Sequence, residues 1–357
     1  MHAVGVRQWA GQADERDQDD LARKLLNEYC AEVELIDPLP QRVSGLNAVS
    51  SLVRHGPVMS SLVKNPAMSR RLGALPGPYD LVWLETLYTA QYASTLAPIA
   101  QRAILNTHNV ESELERQLLH QASGGLAKMR SSVRWLNLCR AERHYLPSMD
   151  KVIAASEDDA IVYRRLLGAE RVEVVANGVD THRFSVDSRR PDPATLLFIG
   201  RLQYFPNQNG LRWFLSEVWP LIRAEVRPAR LIVVGQADPN EMERLRSPDV
   251  EYAGRVPFVE PYLETASVSI CPLLEGSGTR VKIIEAMAAG VPVVSTSKGA
   301  EGLEVTSGRH LLIADTPAEF AKAVRLVLTD DRRDFARSGI ARREPQQRSR
   351  SRVRQEP

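Results

Sequence analysis

The stretch from Glu275 to Val294 carries glycines and cations at spacings that suit an anionic ligand. Gly276 and Gly278 permit positive φ angles and let the backbone approach a ligand closely. The pattern that follows predicts a helix, whose N-terminus offers free N–H groups and the positive end of its dipole. Arg280 and Lys282 add two positive charges at that end. The stretch therefore predicts a cradle for phosphate groups.

The predicted helix runs from about 280 to 289, with Thr279 as its N-cap and Gly290 as its C′ residue. Its apolar face consists of Ile283, Ile284, Met287 and Ala288. Lys282 and Glu285 lie on the opposite face, toward the glycine loop. A carboxylate one turn behind a phosphate cradle can accept hydrogen bonds from a cis-diol such as ribose. This arrangement favours a nucleotide-diphosphate site.

The same residues also fit a purely structural interpretation. Glycine-rich turns are common before amphipathic helices, and Lys282 and Glu285 could form a solvated i, i+3 pair. A short motif becomes specific only through its context. The rest of the chain must therefore decide between the two interpretations.

Length and composition indicate a globular protein of two domains. A chain of 357 residues exceeds the roughly 250–300 residues of a single core. The net charge of +2 is too small to indicate a specific nucleic-acid partner. The three cysteines have no metal-ligand spacing and favour a reducing, cytoplasmic location. No apolar run approaches the roughly 20 residues of a membrane span.

Strands and helices alternate along the chain, which predicts an α/β fold with parallel sheets. A polar, proline-bearing linker at 185–194 separates two such series, so we expect one domain at 1–184 and a second at 190–330. The predicted strands are 1–7, 32–36, 79–84, 102–106, 150–155, 172–176, 195–199, 230–234, 250–253, 267–271, 291–295 and 310–313. Ser156 is predicted to cap a helix that runs to 167, and another helix is predicted at 211–225.

Polar side chains follow two predicted strands of the first series. Glu85, Thr86, Tyr88 and Gln91 come after strand 79–84, and His108 comes after strand 102–106. Ligands of open α/β sheets bind outside the carboxyl ends of the strands. A lone histidine is more often structural than catalytic, so position alone leaves the role of His108 open.

Two segments are rich in arginine. Residues 111–146 are predicted to be helical, and their cations alternate with apolar residues. Such a run is usually a solvated face, and contact with an anionic membrane is the second interpretation. The cations are Lys128, Arg130, Arg134, Arg140 and Arg143. The apolar residues between them are Leu126, Met129, Val133, Leu136 and Leu138. Residues 331–357 lack apolar periodicity and are predicted to be a disordered basic tail.

Five motifs, in this order, resemble the retaining GT-B glycosyltransferases that use nucleotide-sugar donors in exopolysaccharide and glycolipid pathways. They are Thr107-His-Asn-Val-Glu, residues 174–184, Phe198-Ile-Gly-Arg-Leu, Val233-Val-Gly and residues 277–294. The resemblance implies two Rossmann-like parallel-sheet domains facing a cleft. It implies transfer of a hexose-type sugar from a nucleotide-diphosphate sugar to a saccharide or lipid-linked acceptor, in the cytoplasm or peripherally on the inner face of the membrane.

The resemblance also implies roles for residues after the second-domain strands. Arg280 and Lys282, with the backbone N–H groups of Gly278 and Thr279, match the ligands of the donor diphosphate. Glu285 matches the second acid of the family's Glu-x7-Glu pair, which holds the donor ribose. No metal and no cofactor besides the donor are implied, because positive side chains and a helix terminus take the role of the cation.

The remaining matches lie in both domains. Gly200 and Arg201 match the strand-to-helix turn beside the diphosphate. Arg255 and Val256 match the loop that binds the base. His108 matches the N-domain residue near the sugar and the acceptor.

Several features depart from the family pattern. Ser277 stands where the first acid of the pair belongs, and the nearby Glu275 is two positions too early. Residues 206–209 replace a lysine that often follows the Gly-Arg-Leu turn. A first strand with its glycine loop and a C-terminal crossover helix are not recognisable, so we expect an incomplete N-terminal domain. An inactive donor-binding remnant or partner subunit, and a GT-B-shaped nucleotide-sugar epimerase, therefore stay open as alternatives.

Overall fold

The computed structural model describes residues 2–6, 24, 26–28, 30–36, 65–122, 124–184, 189–238, 242–243, 245, 247–276 and 278–329. The chain divides into two compact units, Met1–Val175 and Ala176–Pro357. This division lies before the linker predicted at 185–194. The reason is that Phe184 is buried in the core of the second unit. The basic tail predicted at 331–357 lies outside the described residues.

The first unit contains two parallel sheets. β1 and β2 pair in parallel, and a four-stranded parallel sheet has the order β3-β4-β5-β6. The strands are β1 (His2–Val6), β2 (Glu32–Ile36), β3 (Val82–Glu85), β4 (Ala103–Asn106), β5 (Lys151–Ala154) and β6 (Val172–Val174). Ile36 of β2 packs into the same core as β3, β4 and β5. Within the described residues, no strand ladder joins the two sheets.

The helices of the first unit mostly follow the sheet strands. They are α1 (Pro66–Gly73), α2 (Leu87–Ala90), α3 (Ala93–Leu96), α4 (Glu111–Gln121), α5 (Gly125–Tyr145) and α6 (Glu157–Leu167). The predicted helical region 111–146 is thus two helices, and Gly124 between them has a φ of +90°. The predicted cap of α6 is confirmed, because Ser156 Oγ accepts a hydrogen bond from the N–H of Asp159.

The second unit is a doubly wound α/β domain with a six-stranded parallel sheet in the order β12-β11-β10-β7-β8-β9. The strands are β7 (Thr195–Ile199), β8 (Arg230–Val234), β9 (Val250–Gly254), β10 (Val268–Cys271), β11 (Val293–Ser295) and β12 (Leu312–Ile313). The first strand, β7, lies between β8 and β10, so the strand order reverses between β7 and β10. Ligands of such sheets bind outside the carboxyl ends of the strands at this switch point.

Helices cover both faces of the second sheet. They are α7 (Phe205–Trp213), continued by a π-helical segment (Phe214–Val218) into α8 (Trp219–Glu225), then α9 (Glu260–Thr265), α10 (Val281–Ala288) and α11 (Pro317–Thr329). On one face Phe214 contacts Phe320 edge-to-face at 5.8 Å between ring centroids. The helix predicted at 211–225 begins earlier, at Phe205, because Pro206 suits the first turn of a helix.

Among the helices that the structure describes, none combines the length and the apolar character that a membrane span requires.

Candidate functional site

The turn after β7 and the loop after β10 lie on the two sides of the switch point. Gly200 and Arg201 form the turn, and Gly235 after β8 packs directly against it. Gly235 has a φ of +148°, and a Cβ atom there would overlap the carbonyl oxygen of Gly200. The N–H of Gly200 donates to the carbonyl of Val234 at 2.8 Å. Close backbone packing therefore fixes the position of this turn.

Lys282 lies in the first turn of α10 and reaches Asn207 in the first turn of α7. Its Nζ donates to Asn207 Oδ1 at 2.8 Å and lies 4.8 Å from the centre of the Phe198 ring. Burial of the ammonium group lowers the pKa of Lys282, and the positive charge of Arg280 lowers it further. A charge held in such surroundings gains stabilisation from an anionic ligand.

Asn207 is a site residue that the sequence analysis missed. It is buried, and its Nδ2 donates to the carbonyl of Arg201 at 3.0 Å while its Oδ1 accepts from Lys282. A Cβ atom on Gly200 would lie 2.8 Å from the Asn207 amide carbon. One amide side chain therefore joins the glycine turn to the lysine of α10. The only sequence signal was its place in the first turn of the helix after Gly-Arg-Leu.

Arg280 lies under the glycine loop. The residue is 7% exposed, and its Nη1 donates to the carbonyl of Gly278 at 2.7 Å. Gly276 and Gly278 have φ angles of +117° and +74°. A Cβ atom on Gly276 would lie 2.7 Å from Arg280 Nη2. The two glycines therefore permit the loop to fold closely around the guanidinium group.

The N-cap predicted at Thr279 was wrong by one residue. α10 begins at Val281, and Arg280 occupies the N-cap position without a capping hydrogen bond from its side chain. The backbone of Arg280 has a φ of −86° and a ψ of 86°, which are not helical, so the helix begins one residue later than predicted. The C-terminal prediction holds, since Gly290 has a φ of +69° after the last helical turn.

Glu275, whose role the sequence left open, is buried and binds α7. Both carboxylate oxygens accept from Asn209 Nδ2, at 2.9 Å and 3.1 Å. Gly210 lets the helix approach the loop closely, since a Cβ atom there would lie 2.6 Å from the carbonyl oxygen of Pro272. Glu275 thus holds the start of the glycine loop against α7. Ser277, at the position of the family's first acid, lies outside the described residues.

Glu285 lies one turn beyond Lys282 and has different neighbours. Burial raises the pKa of Glu285, while the charge of Arg183 lowers it and that of Glu260 raises it again. Arg183 Nε donates to Glu260 Oε1 at 2.5 Å. Because Lys282 bonds to Asn207 and Glu285 lies near Arg183 and Glu260, the geometry does not support a Lys282–Glu285 surface pair. The sequence analysis did not anticipate Arg183 or Glu260 at this site, although Arg183 belongs to a quoted motif.

Arg255 and Val256 follow β9 directly. Gly254, with a φ of +68°, ends the strand and turns the chain. Arg255 is exposed, and Val256 packs against the core on the α10 side of the sheet. Both residues therefore lie at the carboxyl edge of the sheet that also carries the Gly200 turn.

His108 belongs to a separate cluster in the first unit, at the carboxyl ends of β3 and β4. Its Nε2 lies 3.1 Å from Glu85 Oε2, and both side chains are half exposed. Glu85 also accepts from Trp83 Nε1 at 2.6 Å and from Asn106 Nδ2 at 3.0 Å. Three donor groups thus surround one carboxylate, and Glu85 holds His108 in place.

The residues around His108 fix its loop to the sheet and to α4. Thr107 is buried, and its Oγ1 donates to the carbonyl of Ile153 at 2.8 Å. Tyr88 donates its hydroxyl to Glu111 at 3.2 Å, and burial raises the pKa of both groups. Thr86 has a φ of +69°, an uncommon backbone conformation for a residue other than glycine. Strained backbone of this kind is concentrated at functional sites.

A family model matches most of the second unit, and curated proteins are similar to larger parts of the chain. Residues 193–330 match the family model described as glycosyl transferases group 1. A protein from the cps region of Klebsiella pneumoniae is 24% identical over 315 residues, covering 86% of this chain and 78% of that protein. The D-inositol 3-phosphate glycosyltransferase 2 of Catenulispora acidiphila is 30% identical over 230 residues, covering 56% of this chain and 53% of the relative. This alignment therefore spans about half of the glycosyltransferase.

Solved structures resemble nearly the whole chain. Sucrose-phosphate synthase from Thermosynechococcus elongatus superposes with a TM-score of 0.64 at 15% identity, covering 95% of this chain and 92% of that structure. Anabaena HepE, crystallised with UDP and glucose, gives a TM-score of 0.61 at 16% identity, covering 94% and 91%. At these identities the likeness concerns the fold. Residues 193–330 thus match the glycosyl transferases group 1 family, and the chain has the fold of GT-B glycosyltransferase structures.

Proposed function

We propose that this protein transfers a hexose-type sugar from a nucleotide-diphosphate sugar to a saccharide or lipid-linked acceptor, with retention of configuration. The observation that carries the proposal is the contact of Lys282 with Asn207 at the switch point of the second sheet. This contact places a buried ammonium group beside the Gly200 turn and the N-terminus of α10. The group 1 match over residues 193–330 supports the same chemistry.

In the proposed reaction, the bond between the anomeric carbon and the diphosphate oxygen breaks, and its electron pair stays on the leaving diphosphate. Lys282 and Arg280, with the backbone N–H groups of Gly278 and Thr279, stabilise the negative charge that develops. The acceptor hydroxyl forms the new bond to the anomeric carbon, and its proton passes to the oxygen of the leaving diphosphate. These positive groups take the role that a divalent cation has in other transferases, so no metal is required.

We assign the other donor contacts to Glu285 and to the two residues that follow β9. Glu285 accepts hydrogen bonds from the ribose hydroxyls, and Arg255 and Val256 contact the base. His108, oriented by Glu85, contacts the sugar or the acceptor. A UDP-sugar is the first donor to test, because HepE was crystallised with UDP and glucose. A lipid-linked acceptor would require contact with the inner face of the membrane.

Incubation with labelled UDP- and GDP-sugars and saccharide or lipid-linked acceptors tests the proposal. Transfer, or slow hydrolysis of the donor, supports it. Nucleotide binding without turnover would indicate a donor-binding partner subunit, and an epimerised nucleotide sugar would indicate an epimerase. Either of these results would overturn the proposed transfer.

Replacing Glu285 by glutamine should weaken the binding of the nucleoside diphosphate by about 1.5–3 kcal/mol, the range for hydrogen bonds to a charged group. Calorimetry measures the Kd of the free nucleoside diphosphate for the wild type and for the purified variant. Glu264→Gln is the matched control, since Glu264 is an exposed carboxylate on α9. An unaltered Kd with a lowered Tm would show that Glu285 stabilises the fold and does not bind ribose.

Replacing Glu85 by glutamine should lower kcat about tenfold or more and leave the KM for the donor unchanged. The amide oxygen can still accept from Trp83, but an NH2 group replaces the oxygen that faces Asn106 and His108. His108 therefore loses a hydrogen bond to a charged group, worth about 1.5–3 kcal/mol. Glu113→Gln is the control, because it removes a carboxylate that pairs with Arg116 on α4. Equal kcat in the wild type and both variants would show that Glu85 does not position His108 for the reaction.

A further inference from the structure

The solvent face of α5 carries a continuous line of apolar side chains. Leu126, Met129, Val133 and Leu136, here called the α5 stripe, are 68%, 57%, 37% and 46% exposed. Their spacing of i, i+3, i+7 and i+10 places them along one side of the helix. At 1.5 Å per residue the line is about 15 Å long.

The opposite face of α5 already packs against the first unit. Leu138 and Ala141 are buried in its core. Glu142 accepts from both the N–H and the hydroxyl of Ser112, and Arg134 pairs with Glu115 of α4 at 3.2 Å. The α5 stripe is therefore a second apolar face, separate from the one that the core requires.

Exposed cations lie on both sides of the α5 stripe and at its C-terminal end. They are Lys128, Arg130, Arg140 and Arg143. None of them forms a salt bridge within the described parts of the chain. The single carboxylate of the helix, Glu142, points to Ser112, and burial raises its pKa. The solvent face of α5 is thus apolar and positively charged at once.

We propose that the α5 stripe and its flanking cations are a membrane-contacting surface, which lies in the headgroup region of an anionic lipid bilayer. Such a bilayer offers an apolar phase and a layer of negative charge in the same plane. Two copies of this chain would instead bring the basic flanks of α5 together, and like charges disfavour that contact. The stripe lies in the first unit, so the inference does not depend on donor chemistry in the second.

Vesicle sedimentation of the full-length protein tests this proposal. The probes are vesicles of phosphatidylcholine alone and of phosphatidylcholine with phosphatidylglycerol, at low and at 0.5 M salt. We expect binding to the anionic vesicles only, with about fivefold weakening for each flanking cation that is removed. The double variant Met129→Glu/Leu136→Glu should bind at least about tenfold more weakly.

Matched variants separate the α5 stripe from other basic parts of the chain. Leu326→Glu changes a leucine of α11 that is 45% exposed, close to the 46% of Leu136, and should bind as the wild type does. Met129→Ser/Leu136→Ser should also lose binding, although it adds no negative charge. Equal binding by the wild type and both double variants would assign the lipid contact to the arginine-rich segment 331–357 and overturn the proposal.

Two further results would also overturn it. One is the absence of binding to anionic vesicles. The other is a concentration-dependent dimer, observed by sedimentation velocity without lipid, that is absent in the double variants. The α5 stripe would then be an interface between two copies of the chain. An unchanged Tm in every variant confirms that the compared proteins are folded.

Discussion

Replacing Lys282 by alanine is expected to lower the kcat of sugar transfer by about 10²–10³-fold, measured with saturating donor. This is the usual effect of removing one group that stabilises developing charge in a site shielded from water. The ammonium group is buried and held by Asn207, so water compensates poorly for its loss. Unchanged turnover would show that Lys282 does not stabilise the leaving diphosphate.

Two variants accompany this measurement. Lys322→Ala, an exposed lysine on α11, controls for the loss of one charge and should retain full activity. Asn207→Ala should lose less activity than Lys282→Ala, because the ammonium group remains but is no longer oriented by the amide. A loss after Asn207→Ala that exceeds the loss after Lys282→Ala would show that Asn207 acts mainly by holding the Gly200 turn.

The lowered pKa of Lys282 also has a consequence for pH dependence. The charged form is required, and it is lost as pH rises through the pKa of the folded protein. Because burial lowers this pKa, the alkaline decline in donor affinity should begin at lower pH than for an ordinary exposed lysine. Lys282→Arg should shift the decline to higher pH, since arginine keeps its charge.

Replacing Gly235 by alanine is expected to lower the free energy of unfolding by about 3 kcal/mol or more and to weaken donor binding. The positive φ disfavours alanine, and the new Cβ atom would overlap the carbonyl oxygen of Gly200. Backbone cannot move aside as a flexible side chain can, so β8 and the Gly200 turn must separate. Hydrogen exchange of the β7 and β8 peptides, with urea unfolding, measures the effect.

Gly254→Ala is the matched control for this prediction. Gly254 also has a positive φ, at +68°, but a Cβ atom there would have no neighbour within 4 Å. Gly254→Ala should lower the free energy of unfolding by only about 1 kcal/mol, the usual penalty for alanine in that conformation. If the two variants were equally stable, the contact between Gly235 and Gly200 would not control the turn.

The sequence by itself determined the local structure and the order of the elements. The buried run Thr195–Ile199, the strand at Arg230–Val234 and the Ser156 cap all lie where predicted. Parallel sheets also followed from the alternation of strands and helices. These features depend on side-chain periodicity and capping over a few neighbouring residues, which is information that a single sequence contains.

Only the tertiary structure decided which side chains meet. Asn207 and Lys282 are 75 residues apart, Asn209 and Glu275 are 66 apart, and Arg183 and Glu260 are 77 apart. Each pair forms because the strand order brings distant loops to one edge of the sheet, and no local pattern encodes that meeting. The same holds for α5, since the sequence shows apolar residues on two faces, and only packing against α4 and the core determines which face stays in solvent.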